Sequence, residues 1–316
     1  MKEKVFDCLI LGGGPAGLSA ALYCARGSVD CAIVDSSCLG GSPINYFEIE
    51  NYLGLGKIQG FDLATSFIKH VNDFNIPKFE YEEIESVDLV SPIKKVKTLD
   101  KTLLAKNIII ATGAKPRKLG VKGEEENIGK GVSYCAVCDG AFYKDKIVAV
   151  VGGGNSALEE ALYLTKFATK VYLIHRRQEF RADKIVQERV KNNPKIELVL
   201  NSNVVEILSD KTVTGVIIEQ NNELKTLEIQ GIFPYIGLVA NCEAFSGQLQ
   251  QNAEGFILTD ECMKTSVDNV YCIGDIRNTP LRQVITAVSD GAIAGVEVSK
   301  NIIKQESEQN ESISVR

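Results

Sequence analysis

The chain has 316 residues, enough for two domains, and its 35 Lys and Arg against 41 Asp and Glu give a net charge of −6. This balance argues against a general nucleic-acid-binding protein, and 45% hydrophobic with 24% charged residues is typical of globular proteins. No apolar stretch is long enough to span a membrane, and Asp7 interrupts any signal-peptide core, so we expect a cytoplasmic protein without a membrane partner.

The N-terminal segment predicts a strand, a glycine turn and a helix. An apolar run from Val5 leads into Gly12, Gly14 and Gly17, and an Ala- and Leu-rich helix is predicted over 15–26. In the pattern G-x-G-x-x-G, the first glycine permits a tight turn and the second lets the backbone approach a pyrophosphate. The third glycine lets the helix pack on the strand, and the helix N-terminus attracts the anion.

The same pattern recurs 140 residues further along the chain. Gly152, Gly154 and Ala157 follow a second apolar run, and a helix is predicted over 155–167, followed by a strand at 170–174. Two such β-α-β units at this separation are typical of two domains of one kind.

The residues after the second strand of each unit differ in charge. Asp35 follows Gly12 by 23 residues, where a carboxylate can bind an adenosine ribose, although a capping or loop role is an alternative. At the equivalent place the chain reads His175-Arg176-Arg177, with Arg181 close behind. Guanidinium groups suit a 2′-phosphate, and the alternative is a solvated basic face. The first site therefore resembles a flavin dinucleotide site and the second an NADPH site.

Further strands and a final helix complete the predicted order, and we expect an α/β fold with two Rossmann-like, three-layer domains. The first domain is discontinuous (1–114 and 241–316), and the second (115–240) is inserted within it. We predict strands at 107–114, 231–237, 255–259 and 269–273, a helix over 282–303 and a frayed tail over 304–316. Pro234 suggests that its strand lies at an edge or is bent.

One C-x-x-C motif, Cys135 to Cys138, is present. A structural zinc site needs four ligands, the histidines number two, and the other cysteines show no cluster spacing, so we expect no metal. The motif favours a dithiol/disulfide couple over two buried free thiols, and Asp139 can transfer protons beside it. The other seven cysteines are expected to be small core residues.

Taken together, these motifs resemble the low-molecular-weight bacterial thioredoxin reductases. The likeness spans nearly the whole chain and includes GGGPAG at 12–17, CAVCDGAFY at 135–143, GGGNSALEEALYL at 152–164 and HRRQEFRA at 175–182. The resemblance implies an enzyme that passes electrons from NADPH, through FAD and the Cys135–Cys138 pair, to thioredoxin or a thioredoxin-like protein. It also implies FAD on the first domain, NADPH on the inserted domain and a homodimer.

The resemblance further assigns site residues. Cys135 would attack the partner disulfide, Cys138 would face the flavin, and Asp139 completes the catalytic set. Residues expected at FAD are Gly12, Gly14, Pro15, Ala16, Gly17, Asp35, Ser36, Gly41, Ser42, Asn51, Ala111, Thr112, Gly113, Gly274, Asp275, Arg282, Gln283 and Val284. Residues expected at NADPH are Gly154, Asn155, Ser156, Ala157, His175, Arg176, Arg177 and Arg181.

Some positions depart from the family pattern, and other functions compete. Ser42, Leu53 and Val284 replace the usual Gln, Pro and Ala, but none of these changes removes a required chemical group. The alternatives are a flavoprotein that reduces another disulfide- or peroxide-reducing partner, and a non-catalytic NADPH or redox sensor. The peroxide-linked type usually carries an additional N-terminal dithiol domain, which we do not expect here. A sensor should show little turnover.

Overall fold

The computed structural model describes residues 4–314, with side chains described through residue 305 and at Ser307. The chain forms two compact units. The first unit comprises the described residues up to Lys115 and from Val239 onward, and the inserted unit is Pro116–Leu238.

The described chain contains both strands and helices. The strands are β1 (Val5–Leu11), β2 (Cys31–Val34), β3 (Lys78–Phe79), β4 (Ile84–Asp88), β5 (Lys94–Thr98), β6 (Thr102–Ile110), β7 (Ala114–Pro116), β8 (Ile147–Gly152), β9 (Lys170–His175), β10 (Ile196–Leu200), β11 (Ser202–Ser209), β12 (Val213–Gln220), β13 (Glu223–Glu228), β14 (Gly231–Tyr235), β15 (Leu238–Ala240) and β16 (Val270–Cys272). The helices are α1 (Pro15–Arg26), α2 (Gly60–Asn72), α3 (Ala136–Asp139), α4 (Asn155–Leu164), α5 (Lys184–Lys191) and α6 (Val284–Ser314).

A mixed sheet organises the first unit, in the order β3–β2–β1–β6–β5–β4 with β16 also paired to β6. The pairs among β1, β2, β3, β6 and β16 are parallel, whereas β4–β5 and β5–β6 are antiparallel. The last four residues of β1 and all of β2 are buried. Their continuous apolar sequences are therefore those of strands covered on both faces.

Both faces of this sheet carry a hydrophobic core. Ile10 packs in a cluster with Leu18 of α1 and Val298 of α6, whereas Leu9 and Leu11 pack in the cluster on the opposite face. The split follows from the strand geometry, because successive side chains point to opposite faces. The sheet is thus the middle layer of the first unit.

The inserted unit, residues 116–238, has a parallel sheet in the order β10–β9–β8–β14. Residues of α4 and α5 pack on one face of this sheet, and the antiparallel β11–β12–β13 sheet packs on the other. Pro234 lies in the edge strand β14, as predicted, where its missing N–H costs no ladder hydrogen bond. The predicted α/β class with Rossmann-type sheets is confirmed.

The chain passes between the units through β7 and β15, which pair with each other. The ladder is extended at both ends. The Arg117 N–H donates to the Gly237 carbonyl at 2.9 Å, and the Asn241 N–H donates to the Gly113 carbonyl at 3.0 Å. The two crossing segments therefore lie side by side.

Two predicted elements are wrong. Helix α6 does not end near residue 303 but continues to Ser314, because the residues after 303 are rich in Lys, Gln and Glu and contain no Gly or Pro. The last two residues of the tail predicted to fray lie outside the described part. The segment 255–259 is not a strand: Gly255 has φ of +88°, and Ile257 forms only isolated bridges.

The cysteines outside the C-x-x-C motif are free thiols. Cys8, Cys24, Cys31 and Cys272 are buried core residues, as predicted. The same prediction is wrong for Cys38, which is exposed because it lies in the irregular loop after β2, and Cys242 and Cys262 are only half-buried. Among residues 4–314, no helix is both long and apolar enough to cross a membrane.

Candidate active site

The first glycine loop connects β1 to α1 and depends on backbone packing. Gly12 has φ of +111°, and a Cβ there would lie 2.3 Å from the Ala111 carbonyl oxygen. A Cβ at Gly17 would lie 1.8 Å from the Gly12 carbonyl oxygen. These two positions require glycine for the fold itself.

Nothing in the fold itself requires residue 14 to be a glycine. Its φ of −75° is open to any residue, and an added Cβ would meet only the Gly41 Cα at 3.7 Å. Helix α1 begins directly after it with Pro15 and Ala16, so free N–H groups of the first turn lie beside this open position. The loop therefore suits close approach of an anion such as a pyrophosphate.

Asp35 braces this loop from the end of β2. Its Oδ2 accepts the Gly13 N–H at 2.6 Å, and its Oδ1 accepts the Ser37 N–H at 2.8 Å. The structure thus brings Asp35 and neighbouring Ser36 to the glycine loop. Both oxygens of the Asp35 carboxylate already accept hydrogen bonds from backbone N–H groups.

Other residues predicted at FAD lie around the same loop. A Cβ on Gly41, the residue before Ser42, would lie 2.7 Å from the Gly14 Cα, and one on Gly274 would lie 3.0 Å from the Ala16 Cβ. The segment Ala111–Gly113 follows β6 and is tied to Asn241, because Thr112 Oγ1 donates to the Asn241 carbonyl at 2.8 Å. These loops follow the carboxyl ends of parallel strands, which is where such sheets bind ligands.

A second group surrounds the start of α6, before Val284. Asn51 Nδ2 donates to Gln283 Oε1 at 2.8 Å. Arg282 Nε donates to the Asp275 carbonyl at 3.1 Å, and its guanidinium lies 3.9 Å from the Phe256 ring centroid. Burial raises the pKa of the Asp275 carboxyl, and the opposing effect of Arg282 is smaller. Arg282 therefore acts mainly as an internal brace for this group.

The second glycine loop repeats the first. Gly152 has φ of +154°, and a Cβ there would lie 2.3 Å from the Tyr235 carbonyl oxygen and 2.7 Å from the Ala157 Cβ. Gly154 has φ of −99°, and no atom lies within 4 Å of an added Cβ. The loop is therefore shaped by Gly152 and open at Gly154, which precedes Asn155 and the exposed Ser156 at the start of α4.

The basic run after β9 lies against this loop. The Arg181 N–H donates to the Gly153 carbonyl at 2.8 Å. His175 is 6% exposed, its ring stacks on Phe180, and burial lowers its pKa. His175 therefore packs beneath Gly153, where its ring would meet a Cβ added to that glycine. The side chains of Arg176, Arg177 and Arg181 are exposed and available to an anion.

The redox motif forms the short helix α3 in the same unit. Cys135 and Cys138 are joined by a disulfide with Cα atoms 5.3 Å apart. Cys135 Sγ accepts the Cys138 N–H at 3.2 Å, and the Cys135 carbonyl accepts the Asp139 N–H at 3.1 Å. Cys135 is thus the N-cap of the helix, a position that stabilises a thiolate after reduction.

Comparison with known proteins agrees with this architecture. Residues 6–291 match the pyridine nucleotide-disulphide oxidoreductase family. The chain belongs to this family. It is 42% identical to the thioredoxin reductase of Listeria monocytogenes over 95% of each chain, and 40% identical to that of Bacillus subtilis over 94% of this chain and 95% of the relative. A solved thioredoxin reductase of Lactococcus lactis matches with a TM-score of 0.92 at 38% identity, covering 95% of this chain and 99% of that one.

Several residues of this pyridine nucleotide-disulphide oxidoreductase support the loops but were missed from sequence. Asp183 and Asn155 exchange two hydrogen bonds, of 2.9 Å and 2.7 Å. Asp290 accepts the Gly274 N–H at 3.0 Å and pairs with Arg277 at 2.7 Å. Asp183 directly precedes α5, so the N-cap preference for Asp was a readable signal. Asp290 gave none, because its partners are distant in sequence.

Proposed function

We propose that this oxidoreductase is an NADPH-dependent, FAD-containing thioredoxin reductase. The observation that carries the proposal is the Cys135–Cys138 disulfide on the same unit as the second glycine loop. A chain that binds two nucleotides and carries a reducible disulfide can transfer reducing equivalents to a protein disulfide. The net reaction is NADPH + H⁺ + thioredoxin disulfide → NADP⁺ + thioredoxin dithiol.

The first unit fits FAD. Gly14 is a glycine that the fold does not need, so its missing side chain is best explained by a bound group that lies close to the backbone. In the proposal, the N-terminus of α1 holds the pyrophosphate, Asp35 lies near the adenosine ribose, and the Asn51–Gln283 pair borders the ring system. When bound, FAD accepts two electrons from a nicotinamide and delivers them to a disulfide.

The inserted unit fits NADPH by the same reasoning. No atom lies within 4 Å of a Cβ added at Gly154, and Asn155, Ser156 and Ala157 follow it at the start of α4. The exposed guanidinium groups of Arg176, Arg177 and Arg181 follow β9 and would bind the 2′-phosphate. This arrangement supports NADPH as the electron donor over NADH.

In the reduced motif, Cys135 would be the attacking thiolate. The Cys138 N–H that already points at Cys135 Sγ would stabilise its negative charge, and this favours Cys135 as the nucleophile. Cys135 then forms a mixed disulfide with thioredoxin and releases one thioredoxin thiolate. Cys138 attacks Cys135, releases the second thioredoxin thiolate and restores the Cys135–Cys138 disulfide. Asp139 would hold and return the protons that these thiolates exchange.

We extend the proposal to a homodimer in the cytoplasm. Seven free cysteines suit a reducing compartment. The apolar side chains of Tyr23, Ile293 and Val296 are partly exposed on α1 and α6 and would be covered in a dimer. Light scattering on the purified protein measures the mass directly, and a monomer at micromolar concentration would contradict the dimer.

The function is tested by oxidation of NADPH in the presence of candidate thioredoxins. We expect turnover by the wild type and its loss in Cys135→Ser and in Cys138→Ser, with FAD retained in both. The matched control is Cys38→Ser, an exposed cysteine outside the motif, which should keep full turnover. Wild-type turnover by either motif variant would contradict the dithiol relay. No turnover with any disulfide protein would favour the sensor alternative.

A further inference from the structure

The redox helix is anchored by a side chain from outside the motif. Helix α3 has four residues, so most of its N–H groups have no carbonyl partner within the helix. The Cys138 N–H is taken by Cys135 Sγ, and the Asp139 N–H by the Cys135 carbonyl. The Ala136 N–H donates to the hydroxyl of Tyr235 at 3.0 Å, across 99 residues of sequence.

Tyr235 is held firmly at the end of β14. It pairs with Gly152 of β8, and its carbonyl packs against the Cα of that glycine. Its side chain packs on the cluster that contains Ala136 and Ala157. The hydroxyl is therefore presented to α3 from the parallel sheet and not from a mobile loop.

We propose that Tyr235 is a positioning residue for the redox cysteines, and that its hydroxyl keeps Cys135 at the helix N-cap when the disulfide is reduced. The inference rests on the proposed function. In the oxidised protein the covalent Cys135–Cys138 bond itself restrains the motif. After reduction that restraint is lost, and the N-cap geometry then depends on non-covalent anchors such as the Tyr235 hydroxyl.

The expected direction of the change in the dithiol/disulfide equilibrium follows from this difference between the reduced and the oxidised motif. Removing the hydroxyl destabilises the reduced motif more than the oxidised one. A less stabilised thiolate has a higher pKa, and a less stabilised dithiol makes the disulfide harder to reduce. Loss of the hydroxyl should therefore shift the equilibrium toward the disulfide.

The test compares the FAD-containing wild type with Tyr235→Phe, which keeps the ring. Both proteins are equilibrated in glutathione buffers, and peptide-resolved alkylation measures the Cys135–Cys138 pair. We expect a shift of about threefold to tenfold toward the disulfide, ~15–30 mV for a two-electron couple. The alkylation pKa of Cys135, measured in a Cys138→Ser background, should rise, kcat should fall, and KM for NADPH should stay unchanged.

Tyr172→Phe is the matched control. Tyr172 lies in β9 of the same unit, and its hydroxyl accepts a hydrogen bond from Lys170. This variant should leave the equilibrium and the Cys135 pKa unchanged. An unshifted thiol–disulfide equilibrium in Tyr235→Phe, with normal exchange in the wild type, would overturn the role of Tyr235 and leave the proposed function untouched. Absence of glutathione exchange in the wild type would instead count against the redox role of the motif.

Discussion

Asn51 and Gln283 lie 232 residues apart in the chain, and a hydrogen bond of 2.8 Å from Nδ2 to Oε1 joins them. The contact ties the loop between β2 and α2 to the residue that precedes α6. Both residues were predicted to lie at the flavin. The hydrogen bond therefore means that Gln283 holds the Asn51 side chain in position.

Gln283→Ala removes the acceptor and should weaken FAD binding. One hydrogen bond contributes about 0.5–1.5 kcal/mol, so we expect the Kd for FAD to rise roughly twofold to tenfold. Recovery of flavin fluorescence on dilution measures the release. Gln178→Ala, at an exposed glutamine of the inserted unit that bonds Asn201, is the control and should retain FAD like the wild type. Equal affinity in Gln283→Ala would remove the proposed role of the pair.

The two glycines of the second loop should respond differently to alanine. Gly152→Ala forces a methyl group to within 2.3 Å of the Tyr235 carbonyl oxygen at φ of +154°, so the melting temperature should drop. Gly154→Ala meets nothing within 4 Å, so the fold should keep its melting temperature. NADPH affinity should nevertheless fall at least about tenfold, because the methyl group fills the space proposed for the pyrophosphate. Thermal melting and NADPH titration separate the two effects, and unchanged NADPH binding by Gly154→Ala would argue against the proposed site.

Replacing Arg176 and Arg177 together by Ala should reduce the preference for NADPH over NADH. The 2′-phosphate is the chemical difference between these coenzymes, and two charged hydrogen bonds give a preference of roughly a hundredfold to a thousandfold. The measurement is kcat/KM for both coenzymes. The value for NADH should change little, and high salt should weaken the wild-type preference because the side chains are exposed. An unchanged ratio of kcat/KM for NADPH to kcat/KM for NADH after the substitution would identify these arginines as part of a solvated basic face.

Because of the buried carboxyl of Glu160, we expect the folded protein to lose stability as the pH rises. Glu160 is 5% exposed, and its Oε2 has no hydrogen-bond partner among the described residues. Burial, followed by the neighbouring Glu159 charge, raises its pKa from 4.5 to about 8. A raised folded-state pKa contributes stability that is fully present below pH 4.5 and is lost as the pH rises to about 8.

Glu160→Gln should therefore lack this loss and be more stable than the wild type at pH 8, by about 3–5 kcal/mol. Urea unfolding at pH 5 and pH 8 measures the difference. Glu159→Gln, at the exposed neighbouring position, should keep most of the wild-type pH dependence, because burial of Glu160 is a larger cause of its raised pKa than the Glu159 charge. Parallel pH curves for Glu160→Gln and the wild type would show that Glu160 is ionised in the folded protein.

The features readable from the sequence are local ones. Continuous apolar runs, the glycines at 12–17 and 152–154, and Pro234 each report a backbone requirement within a few residues, and the parallel strands and the edge strand follow from them. The full length of α6 was not predicted, since we ended that helix at residue 303, although nothing in the sequence from there to Ser314 stops a helix.

The supporting contacts were not readable, for a physical reason. The Tyr235–Ala136 and Asp290–Gly274 hydrogen bonds join residues that only the folded chain brings together. A tyrosine at a strand end, or an aspartate within a helix, has no sequence context that names its partner. The residues proposed to contact the cofactors were therefore predicted from motifs, whereas the residues that hold those motifs in place were identified only from the structure.

The pairing of β7 with β15 means that both ends of the inserted unit emerge at one place. The Asn241 N–H reaches the Gly113 carbonyl across that ladder, so a short turn suffices to rejoin the chain at residues 113 and 241 if 114–240 are deleted. A gene segment encoding the inserted unit is thus exchangeable as a cassette with little change to the path of the surrounding chain. A single-module ancestor could therefore acquire a second nucleotide-binding module by insertion at this one point in its chain.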